Sequence, residues 1–157
     1  MMDFQGSYQP TRLFTVDEAN ATLPLVRAIT FDLMQMSRDV IERRERLDSI
    51  KAARRGESGE FYDDELAHVE GELERDGEKL AEYVDELRQI GVEPKGLPDG
   101  LVDFPSLMDD RVVFLCWKYG EPEVLHWHDI DSGFGGRQPL AAGMISGGDD
   151  EQENLKE

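Results

Sequence analysis

Two long segments of this chain carry apolar residues at alternating three- and four-residue spacings, and that periodicity constrains the fold more than any other feature. In the first, Val26, Ile29, Leu33, Met36, Val40, Leu47 and Ile50 fall on one stripe, with Arg43 at a seam position. In the second, Tyr62, Leu66, Val69, Leu73, Leu80, Tyr83, Leu87 and Ile90 repeat the pattern, with Asp76 in the seam and Gly91 placed as a C-cap. Such a stripe gathers on one face only when the backbone is α-helical. The glycine-bearing break from Arg54 to Gly59 joins the two, so an antiparallel helical hairpin resembling a coiled coil is expected over about residues 15–91.

Local signals refine this expectation. Thr15-Val16-Asp17-Glu18 matches a capping box and starts the first helix. Pro24 lacks an N–H and clashes with the preceding turn, so it should kink the helix or restart it with Thr22 as the new cap, giving a short helix and then a long one. Residues 38–55 carry seven basic and four acidic side chains, whereas 60–90 carry three basic and twelve acidic, which sets an antiparallel register. Gly71 and Gly77 weaken the second helix by roughly 1 kcal/mol each relative to alanine. Two helices leave much of their apolar surface open, so a sheet, a third helix or a second copy must cover it; a homodimer through the helices is one such solution.

Beyond Pro94 the pattern shortens. Leu101-Val102-Asp103-Phe104 reads as a strand ended by Pro105, and 112–118 and 123–130 alternate as strands around a two-residue loop at Gly120-Glu121. In that register Val113, Leu115 and Trp117 share a face with Val124, His126 and His128, and Cys116 lies on the other face. The fold class expected is α+β: the helical hairpin, then a small antiparallel β-hairpin or sheet with a glycine-rich loop over about 100–140. Residues 1–145 form a single domain in this reading, and the aperiodic acidic tail, 146–157, is expected to be disordered.

With 35 acidic against 17 basic residues the formal charge is -18, and the overall field repels nucleic acid and anionic membranes. No apolar run approaches the roughly 18 residues that span a bilayer, and no charged start precedes an apolar run. A soluble cytoplasmic protein is expected. The single cysteine excludes an internal disulfide framework.

Residues able to do chemistry crowd into 112–140. His126 and His128 form an H-x-H pair that a strand aims to one side, and Glu121 or a nearby aspartate can complete a site for a divalent metal such as zinc. The alternative is one exposed histidine and one that is hydrogen-bonded for structure. Gly133-Phe134-Gly135-Gly136-Arg137 can offer backbone N–H groups beside a guanidinium to a phosphate or carboxylate, or can be a tight turn with Arg137 paired to an acid such as Asp131. It lacks the lysine and hydroxyl of a P-loop. Cys116 reads as a small core residue, Trp117 and Trp127 as core or pocket walls, and His68 as solvated.

The segments LCWKYGE, the Trp127-His128 pair and GFGGRQPL, with GLVDFP and FTVDEANATLP upstream, resemble a bacterial family known as domain of unknown function 2203 over roughly residues 12–140. The resemblance implies no activity, cofactor or partner. Its motif positions fall at Asp103, Phe104, Cys116, Trp117, Gly120, Glu121, Trp127, His128, Gly133, Phe134, Gly136 and Arg137, and His126 is not among them. Asp103, Glu121, His128 and Arg137, walled by Trp117 and Trp127, are therefore the candidate ligand-binding set, and His126, His128 and Glu121 the candidate metal set.

Three functions fit. The first is a small binding or interaction module whose polar pocket takes a small anion or a metal. The second is a metal-dependent hydrolase-like enzyme using His128 and nearby carboxylates, with an open position for water. The third is a purely structural helical adaptor.

Overall fold

Helix α1 runs unbroken from Val16 to Ala53, and α2 from Glu60 to Ile90, in a computed structural model that describes residues 9–53 and 59–140. Most of the expected inter-helix break, 54–58, and the expected acidic tail, 146–157, lie outside the described residues. The capping box forms as read: Glu18 N donates to Thr15 Oγ1 and Thr15 N donates to Glu18 Oε1, both at 3.0 Å. The expected division at Pro24 does not occur. Ala19, Leu23 and Val26 are buried on both sides of the proline, and this packing outweighs its helix-breaking cost. Thr22 caps nothing; its hydroxyl donates to the Ala19 carbonyl at 2.8 Å.

Gly91 ends α2 in the left-handed region at φ 101, with its N–H on the Arg88 carbonyl and that of Val92 on the Leu87 carbonyl. The charged seam positions meet across the hairpin: the Arg43 guanidinium pairs with Asp76 and lies 3.5 Å from Glu72. No helix among the described residues is long and apolar enough to cross a membrane.

Five antiparallel strands follow, ordered in space as in sequence: β1 Glu93–Gly96, β2 Leu101–Met108, β3 Arg111–Lys118, β4 His126–Asp129 and β5 Gln138–Pro139. The molecule is thus α+β, a helical hairpin against a meander. The short strands β1 and β5 add to the sheet at its two edges. β2 does not stop at Pro105. The Pro105 carbonyl points away from β3 and accepts from Phe14 N at 2.7 Å, so the absent N–H falls on an edge that β1 has already left.

The β3–β4 register differs from the expected one by a single residue. Cys116 pairs with His126, Leu115 with Trp127 and Phe114 with His128. The connection is longer than a two-residue turn because the chain between the strands turns Val124 down into the main core. Glu121 N donates to Lys118 O, the Trp117 indole N–H donates to Glu121 O at 2.9 Å, and Val124 N donates to the Asn20 side chain at 2.7 Å. A slip of one residue turns every side chain over. Trp127 therefore joins Val102, Phe104, Val113, Leu115 and Trp117 on the face packed against α1 and α2, while His126 and His128 join Cys116 on the opposite face.

Candidate functional site

The outer face of the sheet, turned away from the helices, carries Asp103 from β2, Phe114 and Cys116 from β3, and His126 and His128 from β4. An outer face is usually wet and polar, but here Asp103, Phe114, Cys116 and His128 are each 2% exposed or less. The loop after β4 helps to roof them. Gly133 turns it at φ 69, a conformation that side chains disfavour, and Phe134–Gly136 follow as one 3₁₀ turn.

Asp103, Cys116 and His128 bring a carboxylate oxygen, the thiol sulfur and an imidazole nitrogen within 4.8 Å of one another. His128 Nδ1 lies 2.7 Å from the Asp129 carbonyl, which can only accept, so Nδ1 carries a hydrogen. Its Nε2 lies 3.1 Å from both Asp103 oxygens. Burial alone lowers the proton affinity of this imidazole, but hydrogen bonds with Asp103, Cys116 and the Asp129 backbone, with the Asp103 charge, raise its pKa from 6.5 to about 10. The site is therefore a buried imidazolium–carboxylate pair with a thiol beside it. A cavity of about 80 Å³ adjoins the three groups, lined also by Lys95, Leu101, Ile130, Gly133 and Phe134.

A second cluster lies beside the first. Arg137 grips Glu121 with both terminal nitrogens, Nη1 at 2.9 Å and Nη2 at 3.0 Å, and Nη2 also donates to His126 Nδ1 at 3.0 Å. The same nitrogen reaches the Cys116 carbonyl at 3.4 Å, and the guanidinium lies 4.6 Å from the centre of the Phe134 ring. Burial raises the Glu121 pKa, but the Arg137 fork and the Lys118 N–H outweigh it and hold the carboxyl below its usual 4.5. The acid that engages Arg137 is Glu121, where the sequence suggested Asp131. The loop's N–H groups at Gly136 and Arg137 are taken by the Gly133 and Phe134 carbonyls, as in the second of the two readings, a tight turn with Arg137 paired to an acid.

The candidate residues thus separate. Asp103 and His128 meet at the cavity, Glu121 and Arg137 form a clamp beside it, and His126, the cross-strand neighbour of Cys116, is engaged by Arg137 and is not part of the three-residue cluster. Trp117 is fully buried in the main core, and Trp127 sits on the helix side with the Arg111 guanidinium 5.7 Å from its ring, so neither walls the cavity. Cys116, assigned by the sequence to the opposite face, completes the cluster. Lys95 was missed altogether, because nothing in the sequence shows that β1 brings it over Phe114, where its Nζ lies 4.6 Å from the ring centre.

Neither the curated proteins nor the solved structures contain a match to this chain. The model of one family, described as an uncharacterized conserved protein (DUF2203), matches residues 12–140, a span that takes in both helices, all five strands and the cavity. The chain belongs to that family.

Proposed function

We propose that this protein is a small metal-binding module in which Asp103, Cys116 and His128 hold one divalent ion. One carboxylate, one thiolate and one imidazole form a mixed donor set that suits zinc better than magnesium or calcium, which favour all-oxygen sites. The observation that carries this reading is the convergence of the three ligand atoms within 4.8 Å at buried positions. The bond from Nδ1 to the Asp129 carbonyl supports it further, because it fixes the tautomer that leaves Nε2 for the ion, as a backbone carbonyl commonly does behind a ligating histidine. Metal displaces the proton that Nε2 shares with Asp103, together with the thiol proton.

Purification without chelators followed by elemental analysis should find about one equivalent of zinc, or quantitative uptake of added zinc. Cobalt(II) in its place should give an intense thiolate charge-transfer band in the near ultraviolet, and Cys116→Ser should abolish that band and weaken zinc binding at least ~100-fold. A folded protein that takes up neither metal overturns the proposal.

A hydrolase-like enzyme is the second reading, favoured by the cavity beside the ligands, which leaves room for a bound water. It is the weaker of the two because Glu121, the carboxylate available as a base, is committed to Arg137. Among the described residues lining the cavity, the only carboxylate is the ligand Asp103.

A further inference from the structure

We infer that the cavity beside Asp103, Cys116 and His128 binds a small monoanion as the remaining ligand of the ion, selected by the Lys95 ammonium; this rests on the metal-binding reading. Size sets the first limit. A volume of about 80 Å³ holds two or three waters at roughly 30 Å³ each, or an anion of about three to four heavy atoms such as formate, azide or acetate. A nucleotide or a peptide side chain with its backbone does not fit.

Charge sets the second limit. A thiolate and a carboxylate cancel the two positive charges of the ion, and a ligating imidazole is neutral, so the site with its ion carries no net charge and the exposed Lys95 ammonium is the one cation among the described lining residues. One negative charge completes the site, and a second would be buried without a partner. Lys95 is placed for this role at the exposed rim of the cavity. It lines the cavity with the three ligands, and its Nζ stands over the Phe114 ring, whose centre is 5.6 Å from that of His128. Among the described residues it makes no ion pair, although acidic side chains outnumber basic ones 35 to 17 in this chain. The remaining walls, Leu101, Ile130, Gly133 and Phe134, bring no charge and no polar side chain to compete for the anion. Arg137, which the sequence offered as the anion's partner, is already neutralised by Glu121.

The test is titration of the cobalt(II)-loaded full chain with azide and with formate, followed by the visible and charge-transfer bands of the metal. Saturable spectral shifts are expected with the wild-type chain. In Lys95→Gln the cobalt stoichiometry should be unchanged while anion affinity falls about ten-fold. Bound cobalt whose spectrum neither anion moves overturns the inference and leaves the metal site standing. Equal affinity in Lys95→Gln removes Lys95 as the selecting group, and failure of the folded protein to take up cobalt overturns both readings.

Discussion

With Nδ1–H bound to the Asp129 carbonyl, His128 has only Nε2 to offer, and in the metal-free protein that nitrogen holds a proton against Asp103. This makes stability depend on pH in a defined direction. The folded-state pKa, about 10, lies above the ordinary 6.5, so the pair's contribution is fully present below about pH 6.5 and is lost as pH rises towards 10. Denaturant titrations of the metal-free protein should therefore show unfolding free energy falling by up to a few kcal/mol across that window. Asp103→Asn should flatten the dependence, and a wild-type curve as flat as that of the variant would show that the imidazolium pair is absent. The sequence allowed Asp103 and His128 to be named as polar candidates, because both stand at motif positions of the family resemblance and His128 also belongs to the H-x-H pair. It hid their partner Cys116. Val124 is buried in the main core although strand alternation would place it with the histidines, and that one misleading residue reverses the inferred faces.

The helices were legible because their signal is long: a 3.6-residue period repeated over several turns survives one proline and two glycines, and the cap at each hairpin terminus is spelled by a local motif. Strand register carries no such redundancy. It depended on how residues 119–125 close the turn, and that was decided by Asn20, an α1 residue distant in sequence that takes the Val124 N–H. The two breaks in the helical stripes, Arg43 and Asp76, were visible as exceptions, and the structure explains them as partners. Arg43 is 35% exposed and Asp76 16%, so solvent screens the pair and its net worth is modest. In a double-mutant cycle, Arg43→Leu and Asp76→Leu alone should each lower the urea midpoint, since each leaves one charge of the seam without its partner. The double variant, which completes the apolar seam, should match or exceed wild-type stability. Additive losses in urea unfolding would mean that the two charges do not interact.

At the scale of the whole molecule, length decides which parts can be held firmly. Helix α1 has 38 residues, about 57 Å at 1.5 Å per residue, whereas the longest strands have eight residues and span only about 27 Å. The hairpin must therefore project beyond the sheet. Burial follows that geometry: α1 is buried at Val16, Ala19, Leu23, Val26, Ile29, Leu33 and nearby positions, but past Ser37 only at Leu47. In α2 the corresponding arm is secured by Val69, with Leu66 and Leu73 half-buried. Regions with few buried apolar contacts open at lower cost than the core. Amide hydrogen exchange should accordingly be faster in residues 38–53 and 62–76 than in 19–34, 80–90 and the central strands β2 and β3, although all four helical segments lie within α1 or α2. A homodimer that closed on this arm would show as arm protection that rises with protein concentration while that of the sheet stays constant. Arm amides as slow as those of the sheet in dilute solution would mean that the Arg43–Asp76 seam and its few apolar neighbours hold the hairpin as firmly as the main core does.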